Sequence, residues 1–198
     1  MNGVSRALLV TTAMLPALSE AQESAATRPA SPQFNYSYVE LGYAEAEFQV
    51  GNGDIDGDGL TLSGSFEINE DWHAFASYGN ADLDFGIDID TWALGAGYAY
   101  PLRENVDLYG RVLYLSLDVD PGALAADEDG LGLQFRIRAL VTDEFELEGG
   151  IQYVEVEESD TSLQVGARYY FTETFSAGIG LTVAGDADGI GINARYSF

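Results

Sequence analysis

The chain has 198 residues, no cysteine, 8 basic residues against 33 acidic ones, and a formal net charge of −25. The length suits one domain, the lack of cysteine excludes a disulfide framework and a lipid-anchored N-terminus, and the acidity argues against a nucleic-acid partner. Mean hydropathy is −0.03, and no stretch approaches the ~20 apolar residues of a membrane helix. From Met1 to Arg6 the chain is short, polar and singly positive, and Ala7 to Leu18 is mostly apolar. Ser19-Glu20-Ala21 follows, with small residues at the two positions a signal peptidase reads. This order predicts a secretory signal peptide over residues 1–21, cleaved after Ala21 or a few residues later. Residues 22–33 are rich in Ala, Ser, Thr and Pro and read as a flexible linker.

From residue 34 to 198 the pattern is period two, and ten strand-like segments emerge. The first starts near Phe34 and is weakest from Glu40 to Phe48. Leu60 to Ile68, Trp72 to Leu83, Ile89 to Tyr100, Val106 to Leu117 and Leu131 to Val141 follow. Phe145 to Val156, Ser162 to Phe171, Phe175 to Ala184 and Ile190 to Phe198 complete the set. Each is close to the ~9–11 residues with which a tilted strand crosses a bilayer. Short turns at Asn69-Glu70-Asp71, Pro101 to Asn105, Thr142 to Glu144 and Thr172 to Thr174 alternate with longer connections rich in Asp and Gly. Three of the longer ones end in Asp-x-Asp-Gly before an aliphatic residue, so the repeat unit is a hairpin.

The last strand alternates Ile190, Ile192, Ala194, Tyr196 and Phe198 with Gly191, Asn193, Arg195 and Ser197. It resembles the terminal strand of a bacterial outer-membrane barrel, where an aromatic end (here Tyr196 and Phe198) is an assembly signal. The expected fold is therefore all-β: a transmembrane antiparallel up-and-down β-barrel. It has ten strands, or eight if the first or third segment is miscounted, with both termini periplasmic.

One face of the segments carries Leu60, Phe66, Trp92, Leu131, Phe135 and Leu181 and no charge, as lipid requires. The opposite parity carries Arg111, Arg136, Arg138, Arg168 and Arg195 together with Glu40, Glu67, Asp107, Glu146 and Glu148. Around the turn at Thr142, a register in which residue numbers sum to 284 sets Arg136 opposite Glu148 and Arg138 opposite Glu146. The planar guanidinium fork stays charged and meets a carboxylate with two hydrogen bonds. A lumen with both signs in equal number reads as filled by side chains, and the alternative is a charged constriction that passes ions.

The longer connections hold acids and no base. Asp54, Asp56 and Asp58 before Gly59 imitate the opening of an EF-hand loop, but Ser65 stands at the twelfth position and no helices flank it. Asp and Gly are also ordinary turn residues. The expectation is weak, diffuse divalent-cation binding at Asp54, Asp56, Asp58, Asp127, Asp129, Asp186 and Asp188, with no specific metal and no cofactor. Catalysis lacks a site. The single histidine, His73, follows a tight turn beside Trp72 and reads as an interfacial polar residue, with no serine placed as its nucleophile. Zinc would lack ligands, so no enzyme is expected.

Three stretches carry a family resemblance. They are Asn35 to Tyr43 with the following Gly59 to Ser65, Trp92 to Tyr98 with the turn Arg103 to Leu108, and the closing Arg195-Tyr-Ser-Phe198. Together they resemble the small outer-membrane barrels regulated by a diffusible signal factor. The resemblance spans nearly all of the mature chain and implies location and fold but no catalytic residues. The partners expected are outer-membrane lipid, lipopolysaccharide and the barrel-assembly machinery, without nucleic acid or a small-molecule substrate. The expected role is structural or surface interaction, with a narrow passive channel as the alternative.

Overall fold

A computed structural model describes residues 34–50, 53–84, 86–120, 126–156, 159–185 and 187–198. The expected signal peptide (1–21) and linker (22–33) lie outside the described residues. Ten strands are described: β1 (Tyr38–Val50), β2 (Gly53–Glu67), β3 (Trp72–Leu83), β4 (Ile87–Arg103), β5 (Val106–Asp120), β6 (Ala126–Thr142), β7 (Phe145–Glu155), β8 (Ser159–Tyr170), β9 (Phe175–Ala184) and β10 (Ala187–Ser197). Each pairs antiparallel with its sequence neighbour, and β1 pairs with β10 to close the barrel. The count is ten and not eight. Closure leaves no strand edge with unpaired backbone groups.

The short turns are stabilised locally. Asn69 Oδ1 accepts from the backbone N–H of Asp71 and Trp72 at 3.0 and 3.1 Å. Thr142 Oγ1 accepts from Phe145 N at 3.1 Å, and Thr172 Oγ1 from Phe175 N at 2.9 Å. These are side-chain mimics of a backbone turn. They define one end of the barrel, the turn end; the opposite end is the acidic end.

Two expectations need correction. First, most of the acidic connections are strand. Gly53 to Gly59, Asp118 to Asp120, Ala126 to Gly130 and Ala187 to Gly189 all lie in the ladder. A 17-residue strand such as β4 or β6 runs about 55 Å. At a tilt of about 40° it rises about 42 Å, well beyond an apolar band of ~25 Å. The strands therefore project from the membrane band, and their acids decorate a wall instead of loose loops. Second, the β6–β7 register sums to 286. Arg138 stands opposite Glu148, Arg136 opposite Gly150, and a bulge lies between Leu140 and Thr142. The observed register differs from the expected one by two positions, an even shift that preserves side-chain parity, and the bulge sets one extra β6 residue between the Leu140–Glu146 and Thr142–Phe145 pairs.

The barrel is inverted relative to a water-soluble sheet. Most of its large apolar side chains face outward, with Leu131 62% and Phe66 61% exposed, while arginines and the glutamates paired with them are inside, with Arg138 2% and Glu146 0% exposed. At the acidic-end half of the lumen the filling changes character. Leu113, Leu115, Leu117, Ala93 and Val154 pack there as a buried apolar cluster. The first segment also departs from expectation: β1 starts at Tyr38, and Phe34 and Tyr36 are buried with Ala99 and Tyr109 at the turn end.

Candidate functional site: charged lumen and acidic outer wall

All five lumen arginines are buried, as are Asp107, Glu146 and Glu148; Glu40 and Glu67 are partly buried. Arg136 Nη1 lies 2.9 Å from Glu148 Oε1, and Arg138 Nη2 lies 2.8 Å from Glu146 Oε2. Both pairs are diagonal, given the register, because guanidinium and glutamate chains reach across one strand step. Arg138 also approaches Glu148 at 3.7 Å. Glu40 is shared by Arg168 at 2.6 Å and Arg195 at 2.8 Å. Three glutamates thus serve four arginines, each acid spanning two strands or more.

Neutral groups complete the network. Tyr109 donates to Glu148 at 2.8 Å, and Tyr170 donates to Glu146 at 2.6 Å. Gln134 donates to Gln152, and Arg136 donates to Gln164. None of these was singled out from sequence, although all share the lumen parity of the buried charged residues on their strands. His73 belongs here as well. It is 1% exposed, inside the barrel and not at the interface as expected. Its Nε2 accepts from Arg111 Nε at 2.9 Å, so that nitrogen carries no proton.

The turn end is closed by the segment before β1. Tyr36 stacks on His73 with ring centroids 4.7 Å apart and donates to Asp107 at 3.2 Å. The Arg138 guanidinium sits 4.5 Å from the Phe34 ring and 5.1 Å from the Tyr36 ring, a cation–π arrangement. Glu67 accepts from Tyr36 N at 2.8 Å.

The second candidate surface is the outer wall above the apolar band. Acids on adjacent strands face each other directly: Glu45 with Asp58, Glu47 with Asp56 and with Asp188, Asp58 with Asp82, Asp82 with Asp88, and Asp90 with Asp118. Glu45, Glu47, Asp56, Asp58, Asp82, Asp88, Asp118 and Asp188 are exposed. Like charges directly opposite destabilise a sheet. Tyrosines at the upper edge of the band donate into this wall: Tyr43 to Glu45 at 3.3 Å, Tyr78 to Asp90 at 2.6 Å, and Tyr153 to Glu155 at 3.3 Å. Hydrogen bonding to Asp88, and then the loss of water around it, raise the Asp82 carboxyl above its ordinary value. Of the expected cation ligands, Asp54, Asp56, Asp58, Asp129 and Asp188 are exposed on strand ends. Asp127 lies opposite Asp118 on β6, but its side chain is outside the described residues, as is Asp186. No group of three metal-binding side chains converges among the described residues.

Exposed aromatics, an ion-paired interior and cylinder closure together fit a bilayer as outer solvent. The model of the outer-membrane protein β-barrel domain matches residues 7–198. The chain belongs to this outer-membrane β-barrel family. This places it in the bacterial outer membrane. The barrel has no match among curated proteins. Among solved structures, it is similar to the β domain of the Bordetella autotransporter BrkA at 13% identity, TM-score 0.52, covering 82% of this chain and 100% of that one. It is similar to an outer-membrane channel from Pseudomonas putida F1 at 12% identity, TM-score 0.52, with 89% and 100% covered. It is also similar to the KdgM porin in complex with disordered oligogalacturonate, at 9% identity, TM-score 0.50, with 81% and 99% covered. These likenesses concern the fold.

Proposed function

We propose that this outer-membrane barrel is a sealed, non-enzymatic surface protein that works through its acidic outer wall. The turn end is then periplasmic and the acidic end faces outward. The observation that carries the reading is two neighbouring rows of directly opposed carboxylates, Asp188–Glu47–Asp56 and Glu45–Asp58–Asp82–Asp88, with no basic residue interleaved. On this reading the carboxylates, carried on strands that project beyond the apolar band, meet the lipopolysaccharide phosphates. Hard divalent cations such as Mg²⁺ and Ca²⁺ join carboxylate to phosphate oxygens, relieving the like-charge repulsion within the wall. The lumen contributes rigidity and not passage, since four of its five arginines are paired with glutamates across strands and its turn end is filled by Phe34 and Tyr36. The motif resemblance to the signal-factor-regulated barrels fits a surface role and is part of the proposal.

The test uses the purified barrel in detergent over a lipopolysaccharide-coated sensor. Retention is expected to require millimolar Mg²⁺ and to fall at least tenfold in the triple variant Glu47→Gln, Asp56→Asn, Asp118→Asn. Equal retention of both proteins, or retention insensitive to chelator, contradicts it. The channel reading is favoured by the charge of the lumen and is decided by conductance.

A further inference from the structure

The lumen's charges do not balance where they are densest. A cavity of ≈ 60 Å³ lies in the middle of the barrel, lined by Arg111, Arg136, Arg168 and Arg195 against only Glu40 and Glu148. The carboxylates that restore the count, Asp107 and Glu67, sit at the turn end, where Tyr36 engages both. Arg111 shows the consequence. It is 7% exposed, and among the described residues no carboxylate pairs with it. Its contacts are neutral: His73 Nε2 at 2.9 Å, the Tyr38 hydroxyl at 3.2 Å, and the rings of Phe75 and Tyr109 at 4.4 and 5.0 Å. A second arginine on the same cavity, Arg168, is 3% exposed and has an Nε–H without an acceptor. A buried cation without a counter-charge is costly, and a buried donor without an acceptor adds to that cost.

We infer that this cavity is a binding site for a small monovalent anion of halide size. The ion would accept from the Arg168 Nε–H and neutralise the field of Arg111. The volume admits a halide and a water but no extended ligand. The cavity meets a second one, of ≈ 80 Å³, through Thr61 and Ser77. That upper cavity is lined by small and apolar residues such as Ala44, Ala46, Phe48 and Ile89. An ion entering from the acidic end must shed water there, so weakly hydrated bromide should bind better than fluoride.

Two measurements test the site on the full, refolded barrel. Crystals soaked in sodium bromide and measured at the bromine edge should show an anomalous peak between Arg111 and Arg168. A well-resolved cavity containing only water, with bromide confined to the exterior, overturns the inference. In detergent, at constant ionic strength, replacing fluoride by bromide should raise the unfolding temperature saturably. Arg111→Gln should abolish that dependence, and Arg111→Lys should retain part of it. An identical bromide response in wild type and Arg111→Gln also overturns it. If Arg111→Gln does not fold, the bromide peak in wild-type crystals decides alone.

Discussion

At the residue scale, the lumen network is asymmetric in what it can lose. Glu148 accepts from Tyr109 and pairs with Arg136 and Arg138. Removing it leaves buried guanidinium charge uncompensated, which costs about 3–5 kcal/mol. Glu148→Ala should therefore lower the temperature at which the compact band is lost on a semi-native gel. Asp129→Ala, on the exposed outer wall, should hardly change it. Equal sensitivity at the two positions contradicts the interior assignment. Which residues face inward was legible from parity alone, because one strand step reverses the face. The partners were legible only through the reach of arginine: the register differs from the expected one by two positions, yet Arg136–Glu148 and Arg138–Glu146 still meet diagonally. His73 was misread because its closeness to a turn suggested the interface. Its parity, opposite to that of outward-facing Trp72, points inward.

At the element scale, strand extent was the least legible feature. The Asp-Gly runs have turn composition, yet Asp54, Asp56 and Asp58 alternate with Ile55 and Gly57 as regularly as any strand. The acids are strand because β1 supplies a ladder partner for every β2 residue from Gly53 to Ser65. Opposed acids make that region pH-dependent. The folded-state carboxyl of Asp82 is raised, so the folded protein binds a proton there more readily than the unfolded chain. The repulsion is fully present above the raised pKa and is relieved as pH falls through it. Acidification from neutrality toward the upper carboxylate range should then slow unfolding, and Asp82→Asn should flatten that dependence; an unchanged slope contradicts it. Close strand contact sets a second prediction. A Cβ at Gly150 would collide with the Phe135 carbonyl on β6, and backbone cannot yield as a side-chain tip can. Gly150→Ala should reduce the folded fraction several-fold in a refolding assay, whereas Gly64→Ala, whose nearest contact is 3.7 Å, should refold normally.

At the scale of the whole molecule, fold and location follow from one inversion. Apolar side chains face out, arginine–glutamate pairs face in, and closure satisfies the backbone. Alternation and an aromatic terminal strand made that legible, and the domain match agrees. The filling of the lumen was only half legible. Sequence pointed to charge pairs, but the apolar cluster around Leu113 and Leu115, and the Phe34–Tyr36 closure, depend on which strands become neighbours across the cylinder. The central claim is that this cylinder is sealed. Planar-bilayer recording of the purified barrel tests it most directly. No resolved unitary openings should appear at ±100 mV in molar salt for wild type; reproducible unitary steps from the wild-type protein would contradict the account.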